Sequence, residues 1–191
     1  MSENTNYFAV KSSSAIEVQR KLNAAKVLSV VDEDVHGYWF SAKYPKTGNK
    51  WVVVTAPSQL NVVDGEVSTT DIYNAIQDVS TRVRGIFNTV VHFQQAGNSS
   101  DWRLKIKCGD RVAEKYFSLD EENVFAEADK IVFTKCFDKN FMEMETLLQS
   151  GTGADFLNFV GIPYMEMNDQ NKVNLKSLNN QYSVFLEQIF D

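Results

Sequence analysis

The residues that come closest to a reactive site are the two histidines, His36 and His92. His36 follows the run Asp32-Glu33-Asp34, and an imidazole beside carboxylates is a donor set that can bind a metal ion. That run lies between predicted strands, where side chains are not held in converging directions, so we interpret it as a charged loop. His92 lies within a run of strand-forming residues and is expected to be an ordinary strand residue. We therefore expect no metal and no cofactor.

Other patterns that carry chemistry are missing from the sequence. We find no G-x-S-x-G, H-E-x-x-H, C-x-x-C or G-x-x-x-x-G-K-[ST] motif. Glu143 and Glu145 lie two residues apart on a predicted helix and therefore point away from each other. Cys108 and Cys136 have no local feature that would activate a thiol, so both are expected to be buried and free. We predict no enzymatic activity, and an enzyme with a site not visible in the sequence stays as an alternative.

Charge is divided unevenly along the chain. The 191 residues have a formal net charge of −6. Residues 1–119 contain 14 basic and 12 acidic side chains, whereas residues 120–191 contain 5 basic and 13 acidic ones. This balance argues against nucleic acid as the main partner. It leaves two interpretations of the acidic part: a solvated helix surface, or a surface that steers a basic protein partner. The residues assigned to such a surface are Glu121, Glu122, Glu127, Asp129, Glu143 and Glu145.

Aromatic side chains supply a second candidate surface. Tyr38, Trp39 and Trp51 belong to a predicted hairpin in which aromatic residues occupy both faces. One face of an antiparallel sheet lies on the core, so the surplus aromatics are either covered by a C-terminal helix or contact a partner. We include these three residues in the candidate partner-binding set.

A basic stripe lies on one face of the predicted strand 102–107. Arg103, Lys105 and Lys107 point one way, while Trp102 points the other, because side chains alternate along a strand. Single-stranded nucleic acid is bound by aromatic and basic side chains that share a surface. A solvated strand face is therefore the favoured interpretation, and single-strand nucleic-acid binding stays as an alternative.

Capping boxes predict where the helices that hold these residues begin. Four occur, at Ser14-x-x-Glu17, Ser68-x-x-Asp71, Ser118-x-x-Glu121 and Thr152-x-x-Asp155. The predicted helices cover 15–25, 69–83, 120–148 with a break near 138–140, 154–160, and an amphipathic segment over 175–189. The predicted strands cover 27–31, 38–44, 50–56, 86–93, 102–107 and 112–117.

This order predicts an α+β fold. Two α-βββ units form an antiparallel sheet and are followed by C-terminal helices, which is not the pattern of a parallel doubly wound sheet. We predict a single domain over residues 1–191, with the tandem units in 1–119 and an acidic helical part in 120–191. The first residues lack the basic and apolar regions of a signal peptide, and no apolar run approaches the roughly 20 residues of a membrane-spanning helix. We expect a cytoplasmic protein with no membrane partner.

The element order from Ala15 to Leu148 resembles the type III secretion chaperone-like architecture, including its relatives described as sensory-transduction regulators. The first helix, the strands up to residue 56, the second helix, the hairpin 102–117 and the helix after Ser118 carry the resemblance. It implies a non-enzymatic protein that binds another protein, often as a homodimer. Small acidic immunity proteins, which neutralise a toxin domain, have a similar composition. We therefore predict a protein-binding protein that acts as a chaperone, a regulator or an immunity-type inhibitor.

Overall fold

A computed structural model describes residues 4–25, 38–45, 50–55, 81–96, 100–118, 122–162 and 182–189. The strands in these ranges are β1 (Asn4–Lys11), β2 (Tyr38–Pro45), β3 (Trp51–Thr55), β4 (Thr89–Ala96), β5 (Trp102–Cys108), β6 (Arg111–Phe117) and β7 (Tyr182–Ile189). The helices are α1 (Ala15–Ala24), α2 (described over 81–86), α3 (Glu127–Phe137), α4 (Phe141–Ser150) and α5 (Gly153–Phe159). No helix among these residues is long and apolar enough to cross a membrane.

All seven described strands belong to one antiparallel sheet, with the order β6-β5-β4-β1-β3-β2-β7. The predicted α+β class is confirmed. The N-terminal strand β1 lies at the centre, where Ala9 pairs with Val53 of β3 and with Val91 of β4. This strand was not predicted, because its first residues, Asn4-Thr5-Asn6, are polar and carry no strand signal. It joins the strands of the two predicted units into a single sheet.

One side of the sheet, which we call the aromatic face, carries the main core. Its residues pack against α3, α4 and α5 and include Ala9, Val91, Phe93, Trp102, Leu104, Ile106 and Phe117. Trp102 stacks on Phe117 with ring centroids 3.9 Å apart, and its ring lies 5.7 Å from that of Phe156 in α5. Gly153 permits this close approach, because a Cβ atom there would lie 2.7 Å from a ring carbon of Phe93.

The other side, which we call the histidine face, is covered by α1 and α2. Its buried residues include Phe8, Val10, Val90 and His92 from the strands and Val18, Leu22 and Val83 from the helices. Lys107 Nζ donates hydrogen bonds to the carbonyl oxygens of Arg84 and Phe87, at 2.5 and 3.0 Å, and so satisfies the C-terminal end of α2. The sheet therefore lies between two layers of helices.

Two of the predicted capping boxes begin helices. Ser14 Oγ accepts the backbone N–H of Glu17 at 3.2 Å, and Thr152 Oγ1 accepts that of Asp155 at 3.2 Å. The helix predicted from residue 120 begins later in the structure, since residues 122–126 are not helical and α3 starts at Glu127. The predicted break near 138–140 is confirmed, and it separates α3 from α4.

Two predictions about the sheet were wrong, one on where a strand begins and one on the type of an element. Residue 86 is helical and β4 begins at Thr89, three residues later than predicted. Residues 182–189 form β7 rather than an amphipathic helix, and they pair with β2 along its whole length. A segment rich in aromatic and β-branched residues favours a strand when an open sheet edge is available. The predicted strand 27–31 and the first part of the helix 69–83 lie outside the described residues.

Candidate functional site

His92 is part of the core of the histidine face. Its side chain is 0% exposed, and its ring stacks on Phe8 with centroids 4.4 Å apart. Burial, followed by the positive charges of Lys105, Arg84 and Arg103, lowers the pKa of His92 from 6.5 to about 3. The imidazole is therefore neutral at physiological pH, and the prediction that His92 is an ordinary strand residue is confirmed.

The other candidates for metal binding or nucleophilic chemistry are His36 and the two cysteines. His36 and its neighbouring carboxylates lie outside the described residues, and the described residues contain no group of three or more His, Cys, Asp or Glu that could hold a metal ion. Cys136 is buried, which raises the pKa of its thiol and keeps it protonated. Cys108 is only partly buried, so the expectation of buried free thiols holds fully for Cys136 alone.

The basic stripe of β5 is largely engaged by the fold. Arg103 and Lys105 both pair with Glu114 on the neighbouring strand β6, and Lys105 Nζ lies 3.5 Å from the carboxylate. Lys105 is only 7% exposed, and burial, together with Arg103 and Arg84, lowers its pKa. The prediction of a solvated face was therefore wrong at Lys105, because this side chain is buried and pairs with Glu114 of β6. A stripe whose cations are already paired is a poor surface for a phosphate backbone.

Trp51 does not belong to an exposed aromatic surface. It is 3% exposed and lies on the aromatic face, where its ring centroid is 5.9 Å from that of Phe137 in α3. Its assignment to the partner-binding set was wrong, because a helix covers this end of the hairpin. Tyr38 and Trp39 lie in β2, opposite Ile189 and Gln188 of β7.

Two of the carboxylates near the helices hold the helices to the sheet. Asp129 Oδ2 lies 2.8 Å from Lys115 Nζ of β6. Asp138, directly after α3, lies 2.8 Å from Lys11 Nζ and 3.3 Å from Lys50 Nζ. The hydrogen bond from Lys11 is the main reason that the pKa of Asp138 is lowered. Asp129 was assigned to the partner-binding set, and the structure engages it in holding α3 against β6.

A second group of carboxylates is free of such ties. Glu122, Glu143 and Glu145 form no ion pair with any residue that the structure describes. Glu127 lies 2.9 Å from Lys130 one turn along α3, yet 82% of its side chain is exposed. Glu121 lies outside the described residues. The acidic candidates thus divide into structural and solvent-facing groups, a division that charge counting cannot make.

One flank of α4 and the segment 122–126 beside it together present four residues that we call the α4 patch: Glu122, Val124, Met142 and Glu145. The segment 122–126 is held along this flank by three hydrogen bonds. The backbone N–H of Asn123 donates to Gln149 Oε1 at 3.2 Å, Gln149 Nε2 donates to the Asn123 carbonyl at 2.6 Å, and Asn123 Nδ2 donates to the Leu148 carbonyl at 3.0 Å. At the other end, the rings of Phe125 and Phe141 lie 5.2 Å apart.

Val124 and Met142 add an apolar component to this patch. Each is 75% exposed, the highest value among the large hydrophobic side chains that the structure describes. Met142, Glu145 and Gln149 follow helical spacing and therefore share one flank of α4. We missed both apolar residues in the sequence. The available signal was that Met142 falls outside the buried stripe of Phe141, Met144 and Leu148.

The chain matches no protein-family model, no curated protein and no solved structure. Its fold class is α+β, with helices on both faces of one sheet. The function must therefore be inferred from the chemistry of the described surface.

Proposed function

We propose that this chain is a non-enzymatic protein that binds a basic protein partner through the α4 patch. The observation that carries the proposal is that Val124 and Met142 are exposed on the same flank as Glu122 and Glu145, two carboxylates that form no ion pair with described residues. Exposed apolar side chains provide affinity when a partner buries them. Carboxylates around them select a basic partner and speed its approach.

The charge of the surrounding helices supports the same proposal. Residues 122–162 contain seven Asp and Glu but only three Lys. Because Asp129 and Asp138 are engaged with lysines of the sheet, the carboxylates left facing solvent are concentrated on and beside α4. A field of one sign attracts an oppositely charged partner over about 10 Å at moderate salt.

The resemblance in element order favours a chaperone-like, regulatory or inhibitory role within this class. Such a protein would act in the cytoplasm, a proposal that the two free thiols support. A homodimer is the arrangement that the resemblance implies, and the α4 patch is the surface that we assign to the heterologous partner.

The test compares capture of proteins from the host lysate by three forms of the tagged chain. Wild type and Asp110→Lys should retain the same stoichiometric protein at low salt, whereas Glu122→Lys/Glu145→Lys should lose it. Asp110 is a matched control, because it is an exposed carboxylate in the turn between β5 and β6. Circular dichroism shows that each variant is folded. Equal retention by all three forms, or no protein retained by wild type, would contradict the proposal.

A further inference from the structure

Lys130 of α3 lies beside the α4 patch. Its Nζ atom is 2.9 Å from Glu127 Oε1 and 5.8 Å from the centroid of the Phe141 ring. The hydrogen bond with Glu127 raises the pKa of Lys130, and the negative charge of Glu145 adds to this effect. The ammonium group of Lys130 therefore pairs with a carboxylate of its own helix and lies over the ring of Phe141 in α4, the residue before the exposed Met142.

We propose that the partner segment on the α4 patch presents a lysine or arginine beside an apolar side chain, and that its cation displaces Lys130 from Glu127. This rests on the proposed function, because it names the chemistry of the partner at the same surface. Lys130 then acts as an intramolecular competitor that limits affinity until the partner binds.

The contact of Lys130 is suited to displacement. Glu127 and Lys130 form an exposed pair three residues apart on one helix, and pairs of this kind are weak. The lysine stem is long and flexible, so its ammonium group can move into solvent without a change in the backbone. A partner cation anchored by apolar contacts gains more from the same carboxylate, because its position is already fixed.

Val124 and Met142, the apolar residues of the α4 patch, have properties that favour binding of such a segment. The hydrogen bonds of Asn123 with Gln149 and Leu148 hold the backbone beside Val124 in place, which reduces the ordering cost of binding. Met142 has an unbranched, polarisable side chain that adapts to differently shaped apolar groups. A fixed backbone with one adaptable side chain fits an amphipathic segment that is basic along one edge.

The test uses a synthetic, end-blocked helical peptide of leucine and lysine, with a leucine–glutamate peptide of the same spacing as the reverse-charge probe. Lys130→Met should bind the leucine–lysine peptide about 3- to 10-fold more tightly than wild type at low salt. Lys130→Arg should bind like wild type. Lys135→Met is the matched control, because it removes the same charge from the same helix about 140° away, and it should change binding less than about twofold. The leucine–glutamate peptide should not bind any of these forms.

Two results separate the inference from the function on which it rests. Equal tightening by Lys130→Met and Lys135→Met would indicate a general charge effect and would overturn the displacement of Lys130. In that case, weaker binding by Glu122→Lys/Glu145→Lys would still support the α4 patch as the binding surface. If that double variant binds the peptide as wild type does, both the inference and the proposed surface are overturned.

Discussion

The aromatic face and the histidine face are built by the same strands and bury different chemistry. On β5, Leu104 and Ile106 enter an apolar core, while Lys105 between them is buried on the other side beside His92. The polar side is tolerated because β6 supplies Glu114 and the end of α2 supplies carbonyl groups. The difference teaches that one face is sensitive to added volume, whereas the other is sensitive to added charge.

The largest expected effect is a loss of stability in acid that comes from the histidine face. In the unfolded chain His92 gains its proton near pH 6.5, but in the folded chain its pKa is about 3. Between these values the unfolded state binds more protons, so the free energy of unfolding falls as the pH falls. The slope approaches about 1.4 kcal/mol per pH unit, or about 3 kcal/mol from pH 7.5 to pH 4.5. Urea unfolding of wild type and His92→Phe measures this loss, which the variant should lack.

Lys105→Met provides the companion measurement. Removing this ammonium group raises the pKa of His92 and should reduce the loss of stability in acid, although burial still holds the pKa low. A loss of the same size in wild type and in His92→Phe would show that other groups cause the acid sensitivity.

The next effect tests the sensitivity of the aromatic face to volume. Gly153→Ala places a methyl group 2.7 Å from a ring carbon of the buried Phe93, so the ring must shift. We expect the free energy of unfolding to fall by about 1–3 kcal/mol. Gly85→Ala in α2 is the matched control, because nothing lies within 4 Å of its Cβ position, and it should stabilise by up to about 1 kcal/mol. Similar losses of stability in both variants would contradict the explanation that the added methyl group displaces the Phe93 ring.

The smallest expected effect on stability is that of Asp138, directly after α3, where this helix is tied to the sheet beside the aromatic face. Asp138→Asn keeps a residue that tolerates the positive φ of 55° but removes the charge shared with Lys11 and Lys50. Because these groups are partly exposed, we expect a loss of only about 0.5–1 kcal/mol near pH 7. The pKa of Asp138 is lowered, so its contribution is present above pH 3.8 and is lost as the pH falls further. Thermal unfolding should show the two proteins converging in acid, and a persistent difference would contradict this account.

Local signals in the sequence predicted much of the fold. The boxes at Ser14 and Thr152 begin helices because their partners are three residues away, and the strict alternation of 102–108 predicted β5. The errors lie where distant contacts decide the structure. Strand β1 is stabilised by pairing on both sides, and β7 by the open edge of β2, and neither partner is visible in a short window of sequence.

The candidate surface was predicted only in part, for the same reason. Glu122 and Glu145 were selected by charge, and neither forms an ion pair with a described residue, although Glu122 is exposed and Glu145 only partly exposed. Asp129 was selected on the same ground but pairs with Lys115, a residue of β6. Composition gives the number of charged side chains. It does not show which of them form ion pairs with another helix or strand and which remain available on the surface. The exposed positions of Val124 and Met142 likewise follow from how segment 122–126 is fastened to α4.

The place of β7 in the sheet has a consequence for synthesis of the chain. Tyr38 of β2 pairs with Ile189, so the chain must be synthesised as far as residue 189 before this side of β2 is fully covered. Until then β2 presents unpaired backbone groups that can recruit strands from other chains. Pairs so distant in sequence also close late, since the entropy of the intervening chain opposes them. We expect a nascent chain halted before residue 182 to depend on chaperones, while a chain that includes residues 182–189 covers the edge of β2 itself.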